Sequence, residues 1–77
     1  MGTGKNERHV LRVLGLPEDM TEASVADLVA AFRPLKVFLS RTPGGACAGF
    51  AFVEFASCSD MQGGASVLQT YFRVDRG

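Results

Sequence analysis

The side chains able to act as nucleophiles, bases or metal ligands are few and poorly spaced for such work. His9 is the single histidine, and the two cysteines, Cys47 and Cys58, are eleven residues apart. Metal sites need several such ligands at short, characteristic spacings, which this chain does not offer. It also has no nucleophile–base pair, no carboxylates placed together and no phosphate-cradling loop. The sequence therefore predicts no enzyme, no metal and no cofactor.

The spacing of the phenylalanines, in contrast, indicates a possible binding surface. In the stretch AGFAFVEF, residues 48–55, side chains alternate with a period of two, as in a β-strand. Ala51, Val53 and Phe55 fall on one side, whereas Phe50 and Phe52 fall on the other. Only one side can be the core, so two large rings on the opposite side need an explanation of their own.

Size and charge restrict the class of partner. Seventy-seven residues make one small domain, predicted here over residues 8–77, behind a polar and flexible segment at 1–7. Eight basic and eight acidic residues give a net charge of zero, which argues against a partner held mainly by bulk electrostatics. No apolar run approaches the roughly 20 residues of a membrane span, so no membrane partner is expected. The unpaired thiols favour an intracellular, reducing compartment, nucleus or cytoplasm, with an organelle left open.

Hydrophobic periodicity predicts six elements in the order β-α-β-β-α-β. Apolar residues recur at helical spacing from Val25 to Phe32, behind the good N-cap Thr21. The second helix is weaker, since Gly63 and Gly64 each cost it about 1 kcal/mol relative to alanine. The predicted elements are strands 9–16, 35–41, 48–55 and 71–75, a helix at 20–32, and a helix that begins at Ser57 or Ser59 and runs to Thr70. This order predicts a ferredoxin-like α+β fold, with one antiparallel four-stranded sheet and both helices on one face.

That topology explains half of the phenylalanine pattern. The helices cover one face of the sheet, and the core there is predicted to contain Leu11, Val13, Val53 and Phe55. The other face has no cover, and Phe50 and Phe52 lie on it. We call this uncovered face the open face.

The strand motifs resemble those of the RNA recognition motif (RRM) family. AGFAFVEF meets six of the seven specified positions of the family's octapeptide, from Gly49 to Phe55, and LRVLGL (11–16) partly meets its hexapeptide. The similarity extends over residues 9 to about 76. It implies that single-stranded RNA binds the open face by stacking bases on Phe50 and Phe52, since every base has a π-face.

Several positions depart from the family pattern. Arg12 occupies the third stacking position, where the family prefers an aromatic, although a guanidinium plane also stacks on a base. Ala48 replaces a basic residue and Gly15 replaces an asparagine. With one ring and one charge missing, we expect weaker RNA binding than that of a full-motif domain. The segment after the second helix is short, so the domain is either shortened, with its last strand at 71–75, or truncated before that strand.

The predicted RNA-binding residues are those of the open face and its basic rim. They are Phe50, Phe52, Arg12, Leu14, Lys36, Phe38, Arg41 and Arg73. Three alternatives stay open. Arg41 can be a solvated loop charge, and the two rings can be half-covered by the chain's own tail. The same face can also serve a protein-interaction module that binds a partner peptide or domain, or a second copy in a homodimer.

Overall fold

The predicted element order is confirmed. The structure, a computed structural model, describes residues 9–76, with side chains described for 9–75, so the predicted segment 1–7 lies outside the described residues. The strands are β1 (His9–Leu14), β2 (Lys36–Arg41), β3 (Cys47–Phe55) and β4 (Arg73–Arg76). The helices are α1 (Glu22–Leu28) and α2 (Cys58–Gln69). All strand pairs are antiparallel and the sheet order is β2-β3-β1-β4, which is the ferredoxin-like arrangement.

Helix α1 begins as predicted and ends early. Thr21 caps it, accepting a hydrogen bond from the backbone N–H of Ser24 at 3.1 Å. The α-helix stops at Leu28 instead of reaching Phe32, and the chain continues as a 3₁₀ turn, Ala30–Phe32. This tighter turn still keeps Val29 in the core and leaves Phe32 packed against it.

Helix α2 is capped by Ser57, whose hydroxyl accepts from the N–H of Asp60 at 3.1 Å. Its two glycines have a packing role that helix propensity does not reveal. A Cβ added to Gly64 would lie 2.5 Å from Cζ of Phe55, and one added to Gly63 would overlap the ring of Phe32. The glycines therefore let α2 approach both rings closely enough to close the core.

The last strand is β4, and it is shorter than the predicted 71–75. Tyr71 and Phe72 belong instead to the turn that ends α2, because both of their N–H groups donate to the carbonyl of Leu68, at 3.0 and 2.8 Å. β4 then pairs with the last four residues of β1, from Leu11 opposite Arg76 to Leu14 opposite Arg73.

The core lies between the helices and one face of the sheet. It contains the four predicted residues with α1, α2 and β2 side chains around them. Its buried hydrophobic members are Leu11, Val13, Leu16, Val25, Val29, Leu39, Cys47, Ala51, Val53, Phe55, Ala65 and Leu68. Both cysteines are free thiols; Cys47 is buried, whereas Cys58, at the start of α2, is exposed rather than buried or half-buried as expected.

Gly64→Ala should destabilise the domain even though alanine is the better helix former. Its Cβ would press on the fully packed ring of Phe55, and overpacking of this kind costs about 1–3 kcal/mol. Ser66→Ala, at an exposed position of the same helix, is the matched control and should be neutral or slightly stabilising. Urea denaturation measures both; equal stabilisation by the two changes would contradict the close approach of α2.

Candidate functional site

The middle of the open face is a row of four side chains, one from each strand. Asp75 on β4 lies opposite Arg12 on β1, Arg12 lies opposite Phe52 on β3, and Phe52 lies opposite Phe38 on β2. Residues directly opposite in an antiparallel pair have Cβ atoms about 4.5–5.5 Å apart, so these neighbours are within contact range. The row therefore runs from an ion pair to a pair of rings.

Two further rows flank the middle one. On one side, Arg73, Leu14 and Phe50 lie opposite one another across β4, β1 and β3. On the other side, Val10, Glu54 and Lys36 lie opposite one another across β1, β3 and β2. The open face thus carries rings and Leu14 at its centre, with basic side chains at two of its ends.

Three rings form one cluster on this face, which we call the ring cluster: Phe38, Phe50 and Phe52. The centroids of Phe38 and Phe52 are 6.3 Å apart at an interplanar angle of 30°, and those of Phe50 and Phe52 are 5.8 Å apart at 83°. Phe38 is 53% exposed and Phe52 36%, whereas Phe50 is half-buried. Each outer ring supports Phe52, and the described chain leaves Phe38 and Phe52 open to a ligand.

A bulge in β3 aims Phe50 at this cluster. Ala51 lies opposite Leu39 and Cys47 opposite Arg41, so β3 uses four residue steps where β2 uses two. Gly49 sits inside the bulge with φ of +105°, a conformation that favours glycine, and its carbonyl accepts from the N–H of Leu16 at 3.0 Å. The glycine of the octapeptide therefore has a backbone reason that motif matching alone did not give.

An ion pair that sequence reasoning missed lies beside the ring cluster. Nη2 of Arg12 donates to Oδ2 of Asp75 at 2.7 Å, and the two side chains are 47% and 55% exposed. Asp75 is 63 residues away in sequence, and only the register of β4 brings it opposite Arg12. Because the pair is solvated, it contributes about 1 kcal/mol or less to stability, but it neutralises Arg12 and draws it towards β4.

Arg41 is not brought together with the other predicted residues. Along β2, Lys36 and Phe38 lie on the open face. Arg41 falls on the other side of the strand, together with Val37 and Leu39, and it lies opposite Cys47. Its guanidinium donates to the carbonyl of Gly45 in the β2–β3 turn at 3.2 Å. The expected position of Arg41 on the rim of the open face is therefore wrong, and the alternation already in the sequence was the signal.

Charge is distributed unevenly over the two layers, although the chain is neutral. On the open face the described basic side chains are Arg12, Lys36 and Arg73, against the carboxylates of Glu54 and Asp75. The other five carboxylates with described side chains lie on the loops and helices: Glu18, Asp19, Glu22, Asp27 and Asp60. The open face is therefore the more basic side of the domain, which net charge alone concealed.

The described residues hold no cluster of three or more His, Cys, Asp or Glu side chains suited to a metal ion. Over the same part of the chain, neither helix is long and apolar enough to cross a membrane.

The two sides of β3 should respond differently to truncation. Phe55→Ala empties a fully packed core site and should lower the free energy of unfolding by about 3–5 kcal/mol. Phe52→Ala removes two ring-to-ring contacts on the open face, each worth about 0.5–1.5 kcal/mol, and should cost less than Phe55→Ala. Urea unfolding of both variants checks this difference, and similar losses would mean that the two faces of the strand are wrongly assigned.

Three comparisons with known proteins found similar chains. The family model described as RNA recognition motif matches residues 11–71. A subunit of eukaryotic translation initiation factor 3 from Anopheles gambiae is 41% identical over 70 residues, covering 88% of this chain and 26% of that protein. A solved Sxl-lethal protein–RNA complex matches with a TM-score of 0.78 and 28% identity, over 92% of this chain and 47% of that one.

The chain spans about a quarter of the length of the curated relatives that it matches. The second RNA recognition motif of RNA-binding protein 19 has the same fold, with a TM-score of 0.78 at 22% identity over 100% of this chain and 90% of that one. The family match covers most of the residues that form the sheet and helices, including both strands with the motifs. The chain belongs to the RNA recognition motif family.

Proposed function

We propose that the domain binds single-stranded RNA on its open face by stacking bases on the ring cluster. The observation that carries this proposal is the cluster itself, with Phe38 and Phe52 exposed on a sheet face that no helix covers. An exposed ring offers a base a partner of about 1–3 kcal/mol whatever the sequence of the RNA. Family membership and the RNA-bound Sxl-lethal relative support RNA as the ligand and favour a binding module over an enzyme.

Five residues on the open face have distinct proposed roles. Phe52 is the central stacking platform. On β1 the residue opposite Phe52 is Arg12 and not an aromatic, so Phe38, opposite Phe52 on β2, supplies a further ring. Leu14 provides apolar contact beside Phe50. Lys36 and Arg73 lie towards opposite ends of the face, a placement suited to phosphates on either side of the stacked bases.

The relatives indicate the wider setting of this binding. They are subunits of translation initiation factor 3 by name, which supports a role in translation initiation and, with it, a cytoplasmic location. The same name supports membership of a protein complex. This chain spans only about a quarter of the length of those relatives. We therefore propose RNA binding for this domain and no other activity of the complex.

The second candidate is a protein-interaction surface, either for a partner or for a second copy of the chain. The exposed ring of Phe38 on the edge strand β2 favours it, because exposed apolar groups near a sheet edge are common contact sites. Sedimentation of the free domain tests self-association directly. A concentration-dependent dimer that Phe38→Ala dissolves, with no RNA binding, would favour this second function over the first.

Phe52→Ala should weaken RNA binding by about 1–3 kcal/mol, because it removes the central platform. Fluorescence anisotropy with short labelled homopolymer RNAs measures this directly. Leu35→Ala is the matched control. Leu35 is 64% exposed and apolar, but it precedes β2, and by alternation it falls on the side of Val37 and not on that of Phe38. If the two variants lose the same affinity, or the wild type binds none of the RNAs, stacking on the open face is wrong.

Asp75→Asn should strengthen RNA binding, since it releases Arg12 from its ion pair and removes a negative charge that repels the RNA phosphates from the open face. The gain should resemble the worth of an exposed ion pair, about 0.2–1 kcal/mol. Asp27→Asn on α1 makes the same charge change away from the open face and should have no effect at moderate salt.

The salt dependence of the same variants gives a second measure. With three cations on the open face, the wild-type slope of log affinity against log salt should be no steeper than about −2, at about −0.7 for each phosphate neutralised. Asp75→Asn should make the slope more negative. A wild-type slope beyond about −4 would place the dominant charges outside the open face.

A further inference from the structure

A groove opens at one end of the sheet, beyond the ring cluster, which we call the end groove. It has a volume of about 430 Å³, within the roughly 300–1,000 Å³ of small-ligand sites. It is lined by the end of β1, the end of α2 and the turn into β4: Leu14, Gly15, Gln69, Thr70, Tyr71, Phe72 and Arg73. Nothing in the proposed stacking on the ring cluster uses Gln69, Tyr71 or Gly15.

Backbone geometry fixes the shape of this groove. Gly15 has φ of +78°, and a Cβ added there would meet nothing within 4 Å, so it leaves space where any other residue would add a side chain. The N–H groups of Tyr71 and Phe72 both bond the carbonyl of Leu68, which holds the turn. Phe72 packs against the core while Tyr71 stays 62% exposed. The backbone of Tyr71 is therefore held in place, and its ring is accessible to a ligand.

The groove also has polar groups that are not committed elsewhere. The carboxamide of Gln69 and the guanidinium of Arg73 make no hydrogen bond or ion pair within the described part of the chain, whereas the hydroxyl of Thr70 already donates to the carbonyl of Ser66. A carboxamide both donates and accepts, as the polar edge of any base requires. An aromatic ring, a carboxamide and a cation together suit a nucleotide better than a purely apolar ligand.

Continuity with the open face identifies the occupant. Leu14 and Arg73 line the groove and also form the row beside Phe50, so a strand that stacks on Phe50 reaches the groove without a gap. We propose that the end groove is a further nucleotide subsite, occupied by the nucleotide next to the one stacked on Phe50. Its base packs on Tyr71 and is read by Gln69, and its phosphate pairs with Arg73. This inference rests on the proposed RNA binding.

A length series tests the subsite. RNAs of about three nucleotides can be held by the ring cluster alone, whereas those of about six also reach the groove. Affinity for both lengths is measured by anisotropy for the wild type, Tyr71→Ala and the ring-preserving control Tyr71→Phe. We expect Tyr71→Ala to bind the short RNA like the wild type and the long RNA about 5- to 150-fold more weakly, as for one lost stack. Tyr71→Phe should keep the wild-type affinity for both.

The outcomes separate this inference from the function on which it rests. Wild-type affinity of Tyr71→Ala for the long RNA overturns the subsite and leaves stacking on the ring cluster intact. No binding of either RNA by the wild type overturns both. Should Tyr71→Ala lower stability, Gln69→Ala decides, because it removes an exposed side chain without a partner: loss of affinity for the long RNA alone supports the subsite, and unchanged affinity overturns it.

Discussion

Side-chain alternation in β3 is the constraint on which the rest of the structure depends. One nine-residue strand supplies core residues to the helices and rings to the open face, and it pairs with both β1 and β2. A slip of one residue would expose Val53 and Phe55 and bury Phe52, so register is fixed by the core. Stability and binding surface are therefore set by the same pairing, and the contact of Phe55 with Gly64 anchors it.

Charge is the second feature that the sheet organises. A neutral chain offers little long-range attraction for a polyanion, yet the open face is locally the more basic side because the helices and loops carry most of the carboxylates. The pair between Arg12 and Asp75 moderates even this local excess. Under the proposed function, short-range stacking is then the main source of affinity, since screened and internally paired charges contribute little.

Features that depend on neighbouring residues could be predicted from the sequence, whereas those that depend on distant contacts could not. Alternation and capping correctly assigned Phe55 to the core, Phe38 to the open face and Thr21 to the start of α1. The early end of α1 was not predictable, because the 3₁₀ turn places Phe32 against Gly63 on the other helix. Nor was the partner of Arg12, which depends on where β4 begins. The RNA-binding roles of the predicted residues stay predictions.

The connection between α2 and β4 affects both the charge of the open face and the shape of the end groove. It is three residues long, and the middle one, Tyr71, points outward because Phe72 must pack on the core before β4 pairs with β1. The connection ends where β4 begins, and in the register that follows Asp75 lies opposite Arg12. The same register places Arg73 opposite Leu14, and both residues line the end groove. The charge of the open face and the shape of its end are therefore both consequences of one short turn.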